Sequence, residues 1–144
     1  MEIKISFFLV LLQLLFIGTM IFHHGIFIDS SFIWIQVLAI ALAIWAFTKF
    51  ESGKFSIYPE LKEDSKLIVH GPYKWVRNPM YLSLLIYFLP FIIFEFYWLS
   101  SLAYLGLLIV LILKMKIEEE QIKQRFPEDV EYLKTTKKLI PLLY

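Results

Sequence analysis

A chain of 144 residues is long enough for one domain. At 59% hydrophobic, with a mean hydropathy of +0.68, it is too apolar for a soluble domain of this size and points to a membrane protein. A net charge of +1 gives no electrostatic footprint for nucleic acid, and the lack of cysteine excludes disulfides, thiolate nucleophiles and thiolate metal sites.

Residues 5–28 form the first apolar segment, and about 20 residues suffice to cross a ~30 Å hydrocarbon core. It reads as a span rather than a cleaved signal, because it is long, has a single lysine before it and has no small-x-small site after it. Residues 31–50 form the second, where Ala39, Ala41, Ala43 and Ala46 offer small surfaces for close helix contact. A polar loop, 51–81, follows. Residues 82–98 and 101–117 read as a short helical hairpin, tilted or incompletely spanning, with Pro90 expected to kink its first arm. In the tail, 118–144, a helix continuing from the fourth segment runs to Phe126. Pro127, Glu128 and Asp129 look like the first turn of another helix, and Lys137 and Lys138 precede an apolar end suited to the bilayer surface. The fold class expected is all-α: one integral membrane bundle of about four transmembrane helices with a cytoplasmic helical C-terminal tail.

Charge gives the expected orientation. Lysines and arginines crowd 49–77 and the tail, and the connection at 23–31 has none. The positive-inside rule puts the 51–81 loop, the tail and both termini in the cytoplasm, as in a multi-pass protein of a cell's inner membrane. Trp34 and Trp98 then fall at the outer interface and Trp75 at the inner one. His23 and His24 read as outer interfacial residues, Glu95 as a hydrated residue of the outer turn, and His70 as interfacial or close to a ligand on the inner side. No His-based metal motif is present.

Two stretches carry chemistry. GPYKWVRNPMY, 71–81, is stiffened by Pro72 and Pro79, which also restrict Gly71 and Asn78 before them. Arg77 can hold a carboxylate with two parallel hydrogen bonds, and Tyr73, Trp75 and Tyr81 offer flat faces to a ring or a cation. The structural alternative is an interfacial loop of snorkelling cations and belt aromatics. In KIEEEQIKQRF, 116–126, Glu119 can pair with Lys123 at i+4, and Glu120 points toward Gln124. Glu118 instead shares a stripe with Leu111, Met115, Ile122 and Phe126, so it faces the protein, as a functional carboxylate or as a salt-bridge partner of Arg77 or a loop lysine. An arginine, a buried carboxylate, aromatics and a rigid turn together suit a zwitterionic, partly cationic, aromatic ligand. S-adenosyl-L-methionine is one such ligand among others.

LIVHGPYKWVRNPMYL, then EEEQIKQRF and a proline near the C-terminus, closely resembles the isoprenylcysteine carboxyl methyltransferase and phospholipid methyltransferase superfamily of membrane enzymes. The resemblance covers about residues 52–143 and rests on the order of both motifs around a hydrophobic hairpin. It implies an S-adenosyl-L-methionine cofactor. It implies backbone contacts from Leu67 and Ile68, a pocket lined by Tyr73, Asn78, Pro79, Met80 and Tyr81, and a cofactor-binding carboxylate at Glu118 with Glu119 beside it. It places Lys114 where some members carry an acceptor-site arginine, so the cation is kept and the bidentate fork is lost. Asn78 stands for the histidine of eukaryotic members, Pro127 for a glycine and Val130 for a tyrosine.

The reaction implied is in-line methyl transfer to a lipid-like or otherwise apolar acceptor entering from the lipid bilayer, with Arg77 and Lys114 at the reacting end. The competing readings are a small four-helix transporter, an NADPH enzyme resembling sterol reductases, and a non-catalytic membrane scaffold.

Overall fold

The computed structural model describes residues 2–29, 31–49, 68–125 and 136–139. Among these the chain is helical: α1 (Glu2–His24), α2 (Ile33–Phe47), α3 (Pro79–Phe94) and α4 (Trp98–Arg125), with a 3-10 turn at Gly71–Lys74 before α3. There is no strand among the described residues, and a single parallel bridge joins Val76 to Lys137. Residues 51–67 of the expected 51–81 loop and most of the tail lie outside the described residues.

Each helix boundary has a local cause. Gly25 ends α1 at φ 78°, a left-handed conformation that glycine adopts without a Cβ penalty, and its N–H reaches back to the Ile21 carbonyl at 2.8 Å. Pro79 opens α3 at a position where its missing N–H costs nothing. The helix then runs unbroken through Pro90, which is buried among Phe88 and Phe91. The fourth apolar segment and the charged stretch after it form one 28-residue helix, as the reading of a continuing helix expected.

α1 and α4 are long and apolar enough to cross a membrane, over Ile5–His24 and Trp98–Gln124. α2 and α3 are equally apolar but have only 15 and 16 residues. The expected hairpin is therefore asymmetric, a short arm and a long one. Its arms are also not the main contact: α1 packs chiefly on α4, and α2 on α3. Both pairs are antiparallel. Phe32 stacks on Phe94 at 3.7 Å and Trp45 lies edge-on to Trp75 at 6.5 Å, at opposite ends of the α2–α3 pair. Phe88, Phe91, Leu107, Leu111 and Met115 form the core between the pairs, while Leu14, Leu15, Phe22, Leu38, Ile44 and Ile109 face outward.

Several polar groups at the end away from the charged stretches are bonded within the protein, although His24 Nε2 and Ser100 Oγ are buried without a hydrogen-bond partner. Gln36, fully buried, accepts the Ile28 N–H at 2.9 Å and donates to the Tyr87 carbonyl at 3.3 Å, and the Tyr87 hydroxyl donates to the Ile26 carbonyl. Glu95 is not simply hydrated. Its carboxylate meets His24 Nδ1 at 3.3 Å, and the His24 ring stacks on Phe91 at 5.0 Å. The His24 side chain is thus buried, whereas an interfacial residue was expected. A clasp between the end of α1 and the α3–α4 turn accounts for the difference.

The α1–α4 contact depends on Gly106. A Cβ there would lie 2.5 Å from the Phe16 ring. Gly106→Val should lower stability by about 1–3 kcal/mol, the usual cost of overpacking. Measured as a thermal midpoint in detergent, the loss should be partly recovered by adding Phe16→Leu.

Candidate functional site

The chemistry-bearing stretches meet at one end of the bundle. The loop before α3 is shaped by its own residues: Gly71 takes φ 66°, and the N–H groups of Trp75 and Val76 both reach the Pro72 carbonyl at 3.2 Å. Pro72, Tyr73, Val76 and Pro79 are buried, so the loop is seated on the protein. Asn78 stands at the start of α3, where its side chain is suited to cap the helix. Its amide instead donates to the Lys138 carbonyl at 2.9 Å. The backbone adds two bonds, from the Arg77 N–H to the Lys137 carbonyl at 2.8 Å and from the Lys137 N–H to the Trp75 carbonyl at 3.3 Å. Thr136 and Leu139 are buried beside them. Tail residues 136–139 therefore lie against the loop, and the apolar end expected at the bilayer surface lies, beyond Leu139, outside the described residues.

The two glutamates divide the work. Glu118, half-buried, accepts a 2.5 Å hydrogen bond from the Tyr81 hydroxyl. It therefore faces inward, as its place on the apolar stripe of α4 expects. Glu119, not Glu118, takes the cations: Arg77 at 3.6 Å, Lys138 at 3.0 Å and Lys123 at 3.5 Å. The i+4 pair of Glu119 with Lys123 is present, and Glu120 turns to Lys123 at 3.0 Å instead of toward Gln124.

Lys114 is buried, at 1% exposure. Its ammonium donates to the Gln13 side-chain oxygen at 2.7 Å and stands 5.3 Å from the Tyr81 ring centroid, within cation–π range. Gln13, Lys114, Tyr81 and Glu118 thus form one chain of contacts from α1 through α4 and α3. Gln13 was not singled out in the sequence, and Lys138 was expected at the bilayer surface rather than in this site. Gln13 had a visible signal, as the lone amide in the apolar stretch of α1. Nothing in the sequence marked Lys138 as a partner of Glu119 and Asn78.

Arg77, Asn78, Tyr81, Lys114, Glu118 and Glu119 are thereby brought together. Tyr73 and Pro79 are buried next to them in sequence, while Ile68 and Met80 are half-buried at the edges of the same stretch. Leu67 lies outside the described residues, and His70 is exposed just before the turn.

The donor set suits a zwitterionic cofactor. Arg77 Nε and Nη1 are buried without a hydrogen-bond partner, so the guanidinium has donors for a carboxylate. Glu118 and the Tyr81 ring give a cation an acidic and an aromatic partner. Among the described residues, no group of three or more His, Asp or Glu side chains could hold a metal ion.

No curated protein matches the chain. The model of the phospholipid methyltransferase family matches residues 15–129, which takes in the C-terminal part of α1, all of α2, α3 and α4, and both motif stretches. With most of the chain inside that match, from Leu15 in α1 past the paired glutamates of α4, this protein belongs to the phospholipid methyltransferase family of membrane methyltransferases.

Proposed function

We propose that this chain transfers a methyl group from S-adenosyl-L-methionine to a lipid-like or apolar small-molecule acceptor at the cytoplasmic face of the membrane. The observation that carries the reading is the Tyr81–Glu118 hydrogen bond at 2.5 Å, which joins the proline-stiffened loop to the charged end of α4 in one site. The cofactor supplies an activated methyl on a sulfonium. The chain's own residues then have to bind, orient and exclude water, which is where most of the rate gain in such a transfer lies.

In this reading Arg77 offers its unspent donors to the amino-acid carboxylate, and Glu118 and Tyr81 face the cationic part. Tyr73, Asn78, Pro79 and Met80 shape the pocket, with Leu67 and Ile68 beside it. Glu119 borders the pocket and holds Arg77 in place. Lys114 stands on the bundle side, where an apolar acceptor arrives from the bilayer. A carboxylate acceptor needs no general base, whereas an amine or thiol has to arrive deprotonated. α1 and α4 cross the membrane, α2 and α3 complete a four-span, multi-pass bundle, and the loop, tail and termini lie in the cytoplasm. The crowding of lysine and arginine in those stretches supports that orientation.

The test is a titration of the purified protein in nanodiscs with S-adenosylhomocysteine, read by calorimetry and by thermal midpoint. Saturation with a raised midpoint is expected, with no response to NADPH. A response to NADPH alone favours a reductase. Response to neither overturns the reading in favour of a scaffold or a transporter, which proteoliposome efflux then separates.

A further inference from the structure

The proposed reaction brings a second cation to a site that already holds one. Lys114 precedes Glu118 by one helical turn on the same face of α4, and its ammonium lies over the Tyr81 ring whose hydroxyl binds Glu118. A lysine on a flexible four-carbon stem, with little water around it, is drawn to the nearest carboxylate. A sulfonium entering the same site meets that ammonium as a competitor for Glu118 and for the aromatic face.

Gln13 is the group that bears on this competition. It comes from another helix, and its side-chain oxygen takes a hydrogen bond from the Lys114 ammonium at 2.7 Å. An amide in an apolar helix is costly unless its polar atoms are used. The other polar side chains of that stretch do not reach Lys114 by any observed bond: Thr19 donates to the Leu15 carbonyl within α1 at 2.9 Å, and Ser6 Oγ is buried without a partner. We infer that Gln13 is a positioning residue that tethers the Lys114 ammonium toward α1, so that the site admits a sulfonium and discriminates it from the neutral thioether left after transfer. This rests on the proposed function. It adds a residue, outside both motif stretches, that sets the preference of the site for charged cofactor over uncharged product.

The two ligands differ by one charge and one methyl, so their affinity ratio reads the tether directly. The experiment measures binding of S-adenosylmethionine and of S-adenosylhomocysteine, without acceptor, to the unmodified protein and to Gln13→Met, Gln13→Glu, Lys114→Met and the Gln13→Met/Lys114→Met double variant. Methionine keeps the volume of glutamine and removes the acceptor oxygen. Gln13→Met should weaken S-adenosylmethionine about tenfold and S-adenosylhomocysteine by less than about twofold. Gln13→Glu, which keeps an oxygen for the ammonium, should retain the preference. In the Lys114→Met background Gln13→Met should have no further effect, because the competing cation is gone. Equal losses for both ligands would mark a purely structural role and overturn the inference, as would an unchanged ratio or a Gln13 effect that persists without Lys114. Failure of the unmodified protein to bind either ligand overturns the functional reading itself, and the inference with it.

Discussion

Replacing Glu118 by glutamine is expected to weaken S-adenosylmethionine binding by roughly a hundredfold while leaving the fold intact. Glutamine keeps an oxygen for the Tyr81 hydroxyl, so the 2.5 Å contact can persist and only the charge is lost. Removing one partner of a desolvated charge pair costs about 2–5 kcal/mol, which spans that factor. The neutral S-adenosylhomocysteine should lose far less. Tyr81→Phe takes the complementary route: it keeps the charge and the ring beneath Lys114 and deletes the hydroxyl. A hydrogen bond to a charged group is worth about 1.5–3 kcal/mol, so about a tenfold or greater loss is expected there. Calorimetric titration of both variants checks the pair. Unchanged affinity in Glu118→Gln would remove the carboxylate from the cofactor site.

The second large effect is expected at Glu119, and it is a loss of structure before it is a loss of binding. Its carboxylate holds Arg77 at 3.6 Å and Lys138 at 3.0 Å, with Lys123 at 3.5 Å on the exposed side. Arg77 is buried and has two nitrogens without hydrogen bonds, so removing Glu119 leaves its charge without the one ion pair observed for it. Glu119→Ala should therefore cost about 2–4 kcal/mol and lower the thermal midpoint by roughly 5–10 °C. Lys123→Ala, which removes only an exposed member, should cost under about 1 kcal/mol. Because Lys138 also places its carbonyl on Asn78, Glu119→Ala should speed amide exchange at Arg77 and Lys137, whose N–H groups form the bridge between loop and tail. Exchange no faster than in the unmodified protein would show that the backbone bonds alone seat residues 136–139.

These two expectations separate what neighbouring residues encode from what only helix packing supplies. The apolar segments, the stiff turn around Pro72 and Pro79 and the i+4 pair of Glu119 with Lys123 follow from composition, proline geometry and helical spacing. Each involves residues within a few positions of one another, and each is present among the described residues. The inward face of Glu118 was legible for the same reason, since Leu111, Met115 and Ile122 mark its stripe on α4. The resemblance to membrane methyltransferases was carried by two short motifs, and the family match spans both.

Pairing between helices could not be read in this way. α1, α2 and α3 are apolar nearly all round, so no polar face marks which side is buried or against what. Proximity along the chain favoured α3 against α4, whereas the main contacts join α1 to α4 and α2 to α3. That arrangement puts Gln13 on Lys114 across 101 positions and His24 on Glu95 across 71. It also turns Asn78 from a helix cap into an anchor for the tail. Local spacing thus determined that a cationic turn and an acidic helix end exist. The choice of Glu118 for tyrosine and Glu119 for arginine was made by packing, because adjacent residues on a helix point about 100° apart and only a neighbouring element gives each direction its partner.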